Sequence, residues 1–218
     1  MPGVAFFDLD RTVISVNSAT GWIRREVREG FLSKRQAVQG AWWIGKYQLG
    51  FARMEQAIAD AVATLAGAEE DALRARTLAF WREEVARTVR PGARAAIERH
   101  RAQGDHLVLL TSSSTYMGEV VSQELGLDDW LCNRFEVVQG RFTGRVLPPM
   151  CFGPGKVEHA RELATRRGLS LDQASFYTDS YSDLPALLAV GRPVVVAPDP
   201  RLLREARKRG WPVQDWGR

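Results

Sequence analysis

Apolar residues come in short blocks at the start of the chain and again beyond residue 90, and recur at helical spacing in between. The first block, VAFFD at 4–8, predicts a buried strand that ends on an acid. Residues 18–88 carry almost no strand signal. Ala52, Ile58, Ala59, Val62 and Leu65 show the helical period there, and Gly30, Gly40, Gly50 and Gly67 punctuate it. This stretch predicts a mostly helical insertion. Arg90-Pro91-Gly92 marks its far boundary. Beyond it the pattern predicts a helix over 93–103, a buried strand HLVLL over 106–110, and a helix over 116–125 stopped by Gly126. Alternation around Gly140 over 133–146 predicts a small antiparallel hairpin. A helix over 156–167, a strand over 174–178, a helix over 184–188, a strand over 192–197 and a helix over 199–209 complete the chain.

Strands alternating with helices predict an α/β fold with a doubly wound, mainly parallel, Rossmann-like sheet. The expected division is a core of residues 1–16 and 89–218, interrupted by a helical insertion over 17–88. Ligands of such sheets bind at the carboxyl ends of the strands. Asp8, Thr111 and Asp179 all fall at that edge, so distant parts of the sequence converge on one crevice.

Composition narrows the class. The 218 residues are 45% hydrophobic and 26% charged, ordinary for a globular chain with a sizeable core. No apolar run is long enough to span a bilayer, and the first ten residues lack a signal-peptide pattern, so a cytoplasmic protein is expected. Cys132 and Cys151 are too few for a disulfide framework or a zinc site and read as ordinary thiols. The net charge of +4 is dispersed among acids, as in Arg24, Arg25, Glu26, Arg28 and Glu29, which reads as solvated helix faces and not as a nucleic-acid footprint.

The chemistry lies in four short patterns. Asp8 and Asp10 place two carboxylates one residue apart at a strand end. A carboxylate nucleophile splits a difficult displacement into two steps, and a neighbouring carboxyl can protonate the leaving oxygen and then activate water. Two acids facing a phosphate dianion need compensating positive charge. Mg²⁺ supplies it through a few carboxylates plus waters, with Asp179 and Asp183 positioned to complete the ligation. Lys156 can reach phosphoryl oxygens as a point charge, and the Thr111 hydroxyl with the amides after it makes an anion site. Each feature alone also has an ordinary explanation: a solvated acidic turn, helix caps, a surface lysine. Their order and strand-end placement make the combination specific.

Taken together, these residues resemble the haloacid dehalogenase superfamily of phosphotransferases, in its phosphoserine-phosphatase-like branch. Asp8-Leu9-Asp10-Arg11-Thr12 matches D-x-D-x-T, Thr111 the strand-end hydroxyl, Lys156 the lysine, and Asp179 with Asp183 the D-x-x-x-D acid pair. The helical insertion resembles that branch's cap, which would close over the site and choose the substrate. The resemblance implies Asp8 as nucleophile and Asp10 as general acid and base. It implies Thr111, Ser112 and Lys156 on the phosphoryl group, and Asp8, Asp10, Asp179 and Asp183 around Mg²⁺. Asn17, Ser18, Arg24, Trp43 and Arg53 are the candidate substrate readers of the cap.

The implied partner is a small phosphorylated metabolite, such as histidinol phosphate or another amino-alcohol phosphate, with serine, lipid or sugar phosphates as alternatives. Neither nucleic acid nor membrane is expected, and the chain is expected to be a monomer or homodimer. Asn17 stands where phosphoserine phosphatases carry an amine-reading Glu, and Thr178 and Ser182 replace a Gly and an Asn of their fourth motif. These departures weigh against serine phosphate. A catalytically silent phosphate-binding module and a receiver domain are the rival classes.

Overall fold

The computed structural model describes residues 3–33 and 54–217. Seven strands form one sheet in the order β4-β3-β2-β1-β5-β6-β7. They are β1 (Val4–Phe7), β2 (His106–Ser114), β3 (Asp129–Val138), β4 (Arg141–Leu147), β5 (Ser175–Thr178), β6 (Arg192–Val196) and β7 (Val213–Gln214). All neighbours pair in parallel except β3 with β4. The helices are α1 (Ser18–Arg28), α2 (Met54–Ala63), α3 (Glu70–Phe80), α4 (Pro91–Ala102), α5 (Thr115–Leu125), α6 (Pro154–Arg167), α7 (Leu184–Ala189) and α8 (Pro200–Arg209).

The alternation within β1 shows why the sheet is covered twice. Ala5 and Phe7 join one core with Ala93, Ala96 and Ile97 of α4 and Val120 and Val121 of α5. Val4 and Phe6 join the other, with Val157, Ala160 and Leu163 of α6, Leu187 of α7 and Leu202 of α8. Phe6 and Phe7 are completely buried, each contributing about 1.5–3 kcal/mol by leaving water. With no polar face, such a strand belongs in the middle of an α/β sheet. The chain steps outward from β1 through β2 to β3, then returns to β5 on the other side and steps out again. The switch point, and with it the crevice, therefore lies at the carboxyl end of β1.

Two elements differ from the sequence expectation. The hairpin over 133–146 is the outer half of a longer construction. The first half of β3 continues the parallel sheet, with Val108 opposite Asp129 and Leu110 opposite Leu131. Its second half turns back antiparallel on β4, with Val138 opposite Arg141. A strand that changes partners midway has no single alternation to read. The strand over 106–110 runs on to Ser114, held by the Asn133 side chain, which donates to the Ser112 carbonyl at 2.6 Å.

Among the described residues, backbone hydrogen bonds join the insertion to the rest at its root and at its far end. At its root, Ile14 bridges Val89, Ser15 N–H donates to Thr88 O, and Arg90 N–H donates to Val13 O. At its far end, Gly67 N–H donates to Phe142 O, Phe142 N–H to Ala68 O, and Glu70 N–H to Gly140 O. Leu73, Tyr116 and Phe142 form a small apolar cluster beneath this second junction. Phe80 and Trp81, at the end of α3, are buried in the main core beside Phe7.

Candidate active site

β1 and β5 are locked together at their carboxyl ends by the Asp8 N–H, which donates to Tyr177 O at 2.9 Å. Asp8 follows β1 directly and Asp179 follows β5 directly, so the two acids emerge on adjacent strands. Thr111 stands two residues past Leu109, the β2 partner of Phe7. Asp8, Thr111 and Asp179 are all buried at this edge.

After Asp8 the backbone makes a wide turn, with Val13 N–H returning to Asp8 O and Ile14 N–H to Leu9 O. Within it Asp10 is extended and Arg11 is left-handed, at φ 59°. This bend lets two acids one residue apart serve one crevice. Asp10 Oδ1 accepts from Ser18 N–H, the first amide of α1, at 2.6 Å. Burial raises the Asp10 carboxyl above its ordinary value, opposed by the bonds to Ser18 and the charges of Lys156 and Arg11.

Lys156 is the electrostatic centre. It is the third residue of α6 and is 1% exposed, yet its ammonium donates at 2.7 Å to both Asp8 Oδ1 and Asp183 Oδ2. Burial pushes its pKa down, but Asp183 and then Asp8 push it up further, so the lysine stays charged. Its placement depends on Gly155, where a Cβ would lie 1.9 Å from Met150 O. Asp183 also accepts from Thr178 Oγ1 at 2.7 Å, so it does not serve as a helix cap. Ser180, not an aspartate, caps the short turn there.

Negative charge exceeds positive charge at this point. Asp8, Asp179 and Asp183 are buried, and among the described residues Lys156 is the one ammonium hydrogen-bonded to them. Burial foremost, with Asp183 and Asp179, raises Asp8 well above an ordinary carboxyl in spite of Lys156. Burial and Asp183 lift Asp179 to about 7. This surplus suits a bound divalent cation. Among the described residues no three acid, His or Cys side chains close into a ready metal cage.

Other expectations fare differently. Thr111 accepts from Ser113 N–H at 3.2 Å, and the helix expected over 116–125 starts at Thr115, capped by Ser114. The Ser112 hydroxyl turns to Cys151 O at 2.8 Å. Thr12 is buried and points its hydroxyl at Asp179 Oδ1, at 3.4 Å. Asn17 is engaged as the α1 N-cap, accepting from Thr20 N–H and Thr20 Oγ1 at 2.9 and 3.0 Å. Ser18 is buried behind its bond to Asp10, and Arg24 is exposed. Trp43 and Arg53 lie outside the described residues. In the sequence the acid at 199 marks only the start of the last helix, yet it holds the Asp179 loop. Its carboxylate accepts from Tyr181 N–H at 2.6 Å. No local sequence signal marks a bond spanning 18 residues.

A family model of haloacid dehalogenase-like hydrolases matches residues 5–188. The phosphoserine phosphatase SerB1 of Mycobacterium tuberculosis is 31% identical over 220 residues, covering 99% of this chain and 71% of that protein. A histidinol-phosphatase of Neisseria meningitidis is 28% identical over 218 residues, 98% of each chain. The crystal structure of a Bordetella pertussis protein of unknown function superposes with a TM-score of 0.92 at 28% identity, covering 100% of both chains.

Proposed function

The chain belongs to the haloacid dehalogenase-like hydrolases, and from that premise we propose that it is a Mg²⁺-dependent phosphomonoesterase working through a phospho-aspartate on Asp8. The observation that carries this reading is the buried bridge of Lys156 between Asp8 and Asp183. It places a fixed positive charge on the expected nucleophile, beside a surplus of carboxylates.

In the first step an Asp8 carboxylate oxygen bonds to phosphorus and the ester P–O bond breaks. Asp10, held at the site by its bond from the Ser18 N–H, gives its proton to the leaving oxygen. In the second step Asp10 takes a proton from water, whose oxygen bonds to phosphorus as the P–O bond to Asp8 breaks. Phosphate leaves and both acids are restored. Lys156 and the Thr111–Ser112 segment hold the phosphoryl oxygens as charge builds. Asp8 and Asp179 carboxylates and the Asp10 carbonyl would hold Mg²⁺, with Asp183 behind them. When bound, the ion would offset the repulsion between the acids and the phosphate dianion.

Residues 17–88 act as the cap over a core of 1–16 and 89–218. The paired crossings at Ile14–Val89 and Val13–Arg90 support that division. The substrate is a small phosphorylated metabolite. The resemblance to a histidinol-phosphatase along nearly all of both chains favours an amino-alcohol phosphate. The use of Asn17 as a helix cap speaks against its reading a substrate amine. Both cysteines are buried free thiols, which suits the reducing cytoplasm. No helix among the described residues is long and apolar enough to cross a membrane.

The test is phosphate release from a panel of phosphomonoesters with Mg²⁺: histidinol phosphate, phosphoserine, phosphocholine, sugar phosphates and an aryl phosphate. Turnover that requires Mg²⁺ and vanishes in Asp8→Asn is expected. The highest kcat/KM names the substrate. A folded, Mg²⁺-binding wild type that releases no phosphate from any of them favours the silent binding module. Equal activity in the two proteins removes Asp8 as nucleophile.

A further inference from the structure

We propose that Asp199, which belongs to none of the four motifs, is a positioning residue that sets the Asp179 carboxylate for the metal. The inference rests on the phosphatase reading above.

Asp199 lies between β6 and α8 and serves two elements at once. Its Oδ1 accepts from Arg201 N–H at 2.7 Å and Leu202 N–H at 2.9 Å, capping α8. Its Oδ2 accepts from Tyr181 N–H at 2.6 Å, and its own N–H donates to Asp179 O at 2.9 Å. The two bonds to the Asp179 loop grip it on either side of Ser180. An N-cap needs a single acceptor oxygen, and Ser114 caps α5 with one. The second oxygen of Asp199 is therefore surplus to capping and is spent on the loop.

Two further features support the clamp. The chain reaches Asp199 through Ala197, at φ 41°, a left-handed conformation disfavoured for a residue with a Cβ. The Ala197 N–H is held by Gln214 O at 3.0 Å. The Arg201 guanidinium stacks on the Tyr181 ring at 4.2 Å, closing a third contact between α8 and the loop. Asp179 needs such support. The hydroxyl of Thr12 approaches its carboxylate only at 3.4 Å, so its direction depends on the backbone that carries it, which Asp199 grips.

The discriminating variant is Asp199→Ser. Serine caps a helix about as well as aspartate, but its single short oxygen cannot also reach Tyr181. Mg²⁺ affinity is measured by calorimetry without substrate, alongside kcat, KM and Tm. Loss of a partner behind a metal ligand typically weakens metal binding or activity about 10–100-fold. For Asp199→Ser we expect Mg²⁺ affinity and kcat to fall about tenfold, at the low end of that range, with KM and Tm close to wild type. Asp199→Ala should show the same metal defect and a lower Tm besides. An Asp199→Ser protein that binds Mg²⁺ within about twofold of wild type reduces Asp199 to a helix cap and overturns the inference. A wild type that neither binds Mg²⁺ nor releases phosphate overturns the phosphatase reading and this inference with it, a result separable from the first.

Discussion

Replacing Lys156 with Met tests the buried charge balance on which the site depends. The thioether keeps most of the lysine stem's volume, including the part near Phe176, whose ring centre lies 5.6 Å from the ammonium, so repacking is a minor contribution. What is lost is one ammonium and two hydrogen bonds of 2.7 Å, to Asp8 and Asp183. Those carboxylates are 6% and 2% exposed, so water cannot replace the lysine. Removing one partner of a buried ion pair costs about 3–5 kcal/mol. Here one cation serves two anions, so the upper end, about 5 kcal/mol, is expected near pH 8 without metal. In a chain of this length that lowers Tm by roughly 10–20 °C. The loss must depend on pH. Lys156 is what holds the Asp8 carboxyl down against its burial, so without the lysine Asp8 rises still further above its unfolded value. Its contribution is then most favourable below about pH 4 and is lost as pH rises through the folded value. The deficit against wild type should shrink markedly from about pH 8 to pH 5.5. Denaturant unfolding in EDTA at both pH values measures it. Phosphate release with Mg²⁺ should show kcat lowered about 10²–10³-fold, as for loss of a charge-stabilising donor. An equal deficit at both pH values, or a kcat within about fivefold of wild type, refutes the reasoning.

Two further outcomes follow from the same geometry. Asp8 is raised well above the ordinary carboxyl range and Asp179 to about 7, so in the metal-free protein their contribution fades as pH climbs through that value. Mg²⁺, which favours the ionised acids, should therefore raise Tm more near pH 8 than near pH 6. A shift that is flat across that range, by calorimetry, counts against a metal held by these carboxylates. Gly155→Ala should cost about 2–3 kcal/mol and reduce kcat, because the new Cβ meets Met150 O at 1.9 Å and the backbone before Lys156 must move. Gly168→Ala, in open space at φ 65°, should cost only about 1 kcal/mol and leave kcat unchanged, which separates displacement of Lys156 from general destabilisation.

The parts of this molecule that could be read along the chain are those whose physics is local. VAFFD and HLVLL announce buried strands because both faces of a central parallel strand need apolar residues, and the polar groups just beyond them fall at the functional edge. Wherever partner choice decides the outcome, the reading stopped. β3 begins Asp129-Trp130-Leu131-Cys132-Asn133, too mixed to announce a strand, and becomes one because β2 presents a free edge beside it. The two residues of β7 carry no pattern at all and pair only through the end of β6. The same limit applies inside the site. D-x-x-x-D spacing identifies Asp179 and Asp183 as a set, yet the fold gives them different tasks. Asp183 is bound by Lys156 and Thr178, while Asp179 is left with a raised carboxyl and one long contact to Thr12. Both acids are buried and both sit on one loop, so spacing alone cannot say which carboxylate is taken up by neighbouring side chains and which is left with few. That division is made by the lysine, 27 residues before Asp183, and by the backbone clamp from Asp199, 18 residues beyond Tyr181. A motif therefore names the atoms that can do the chemistry, whereas their division of labour is a tertiary property, set by residues that the motif does not contain.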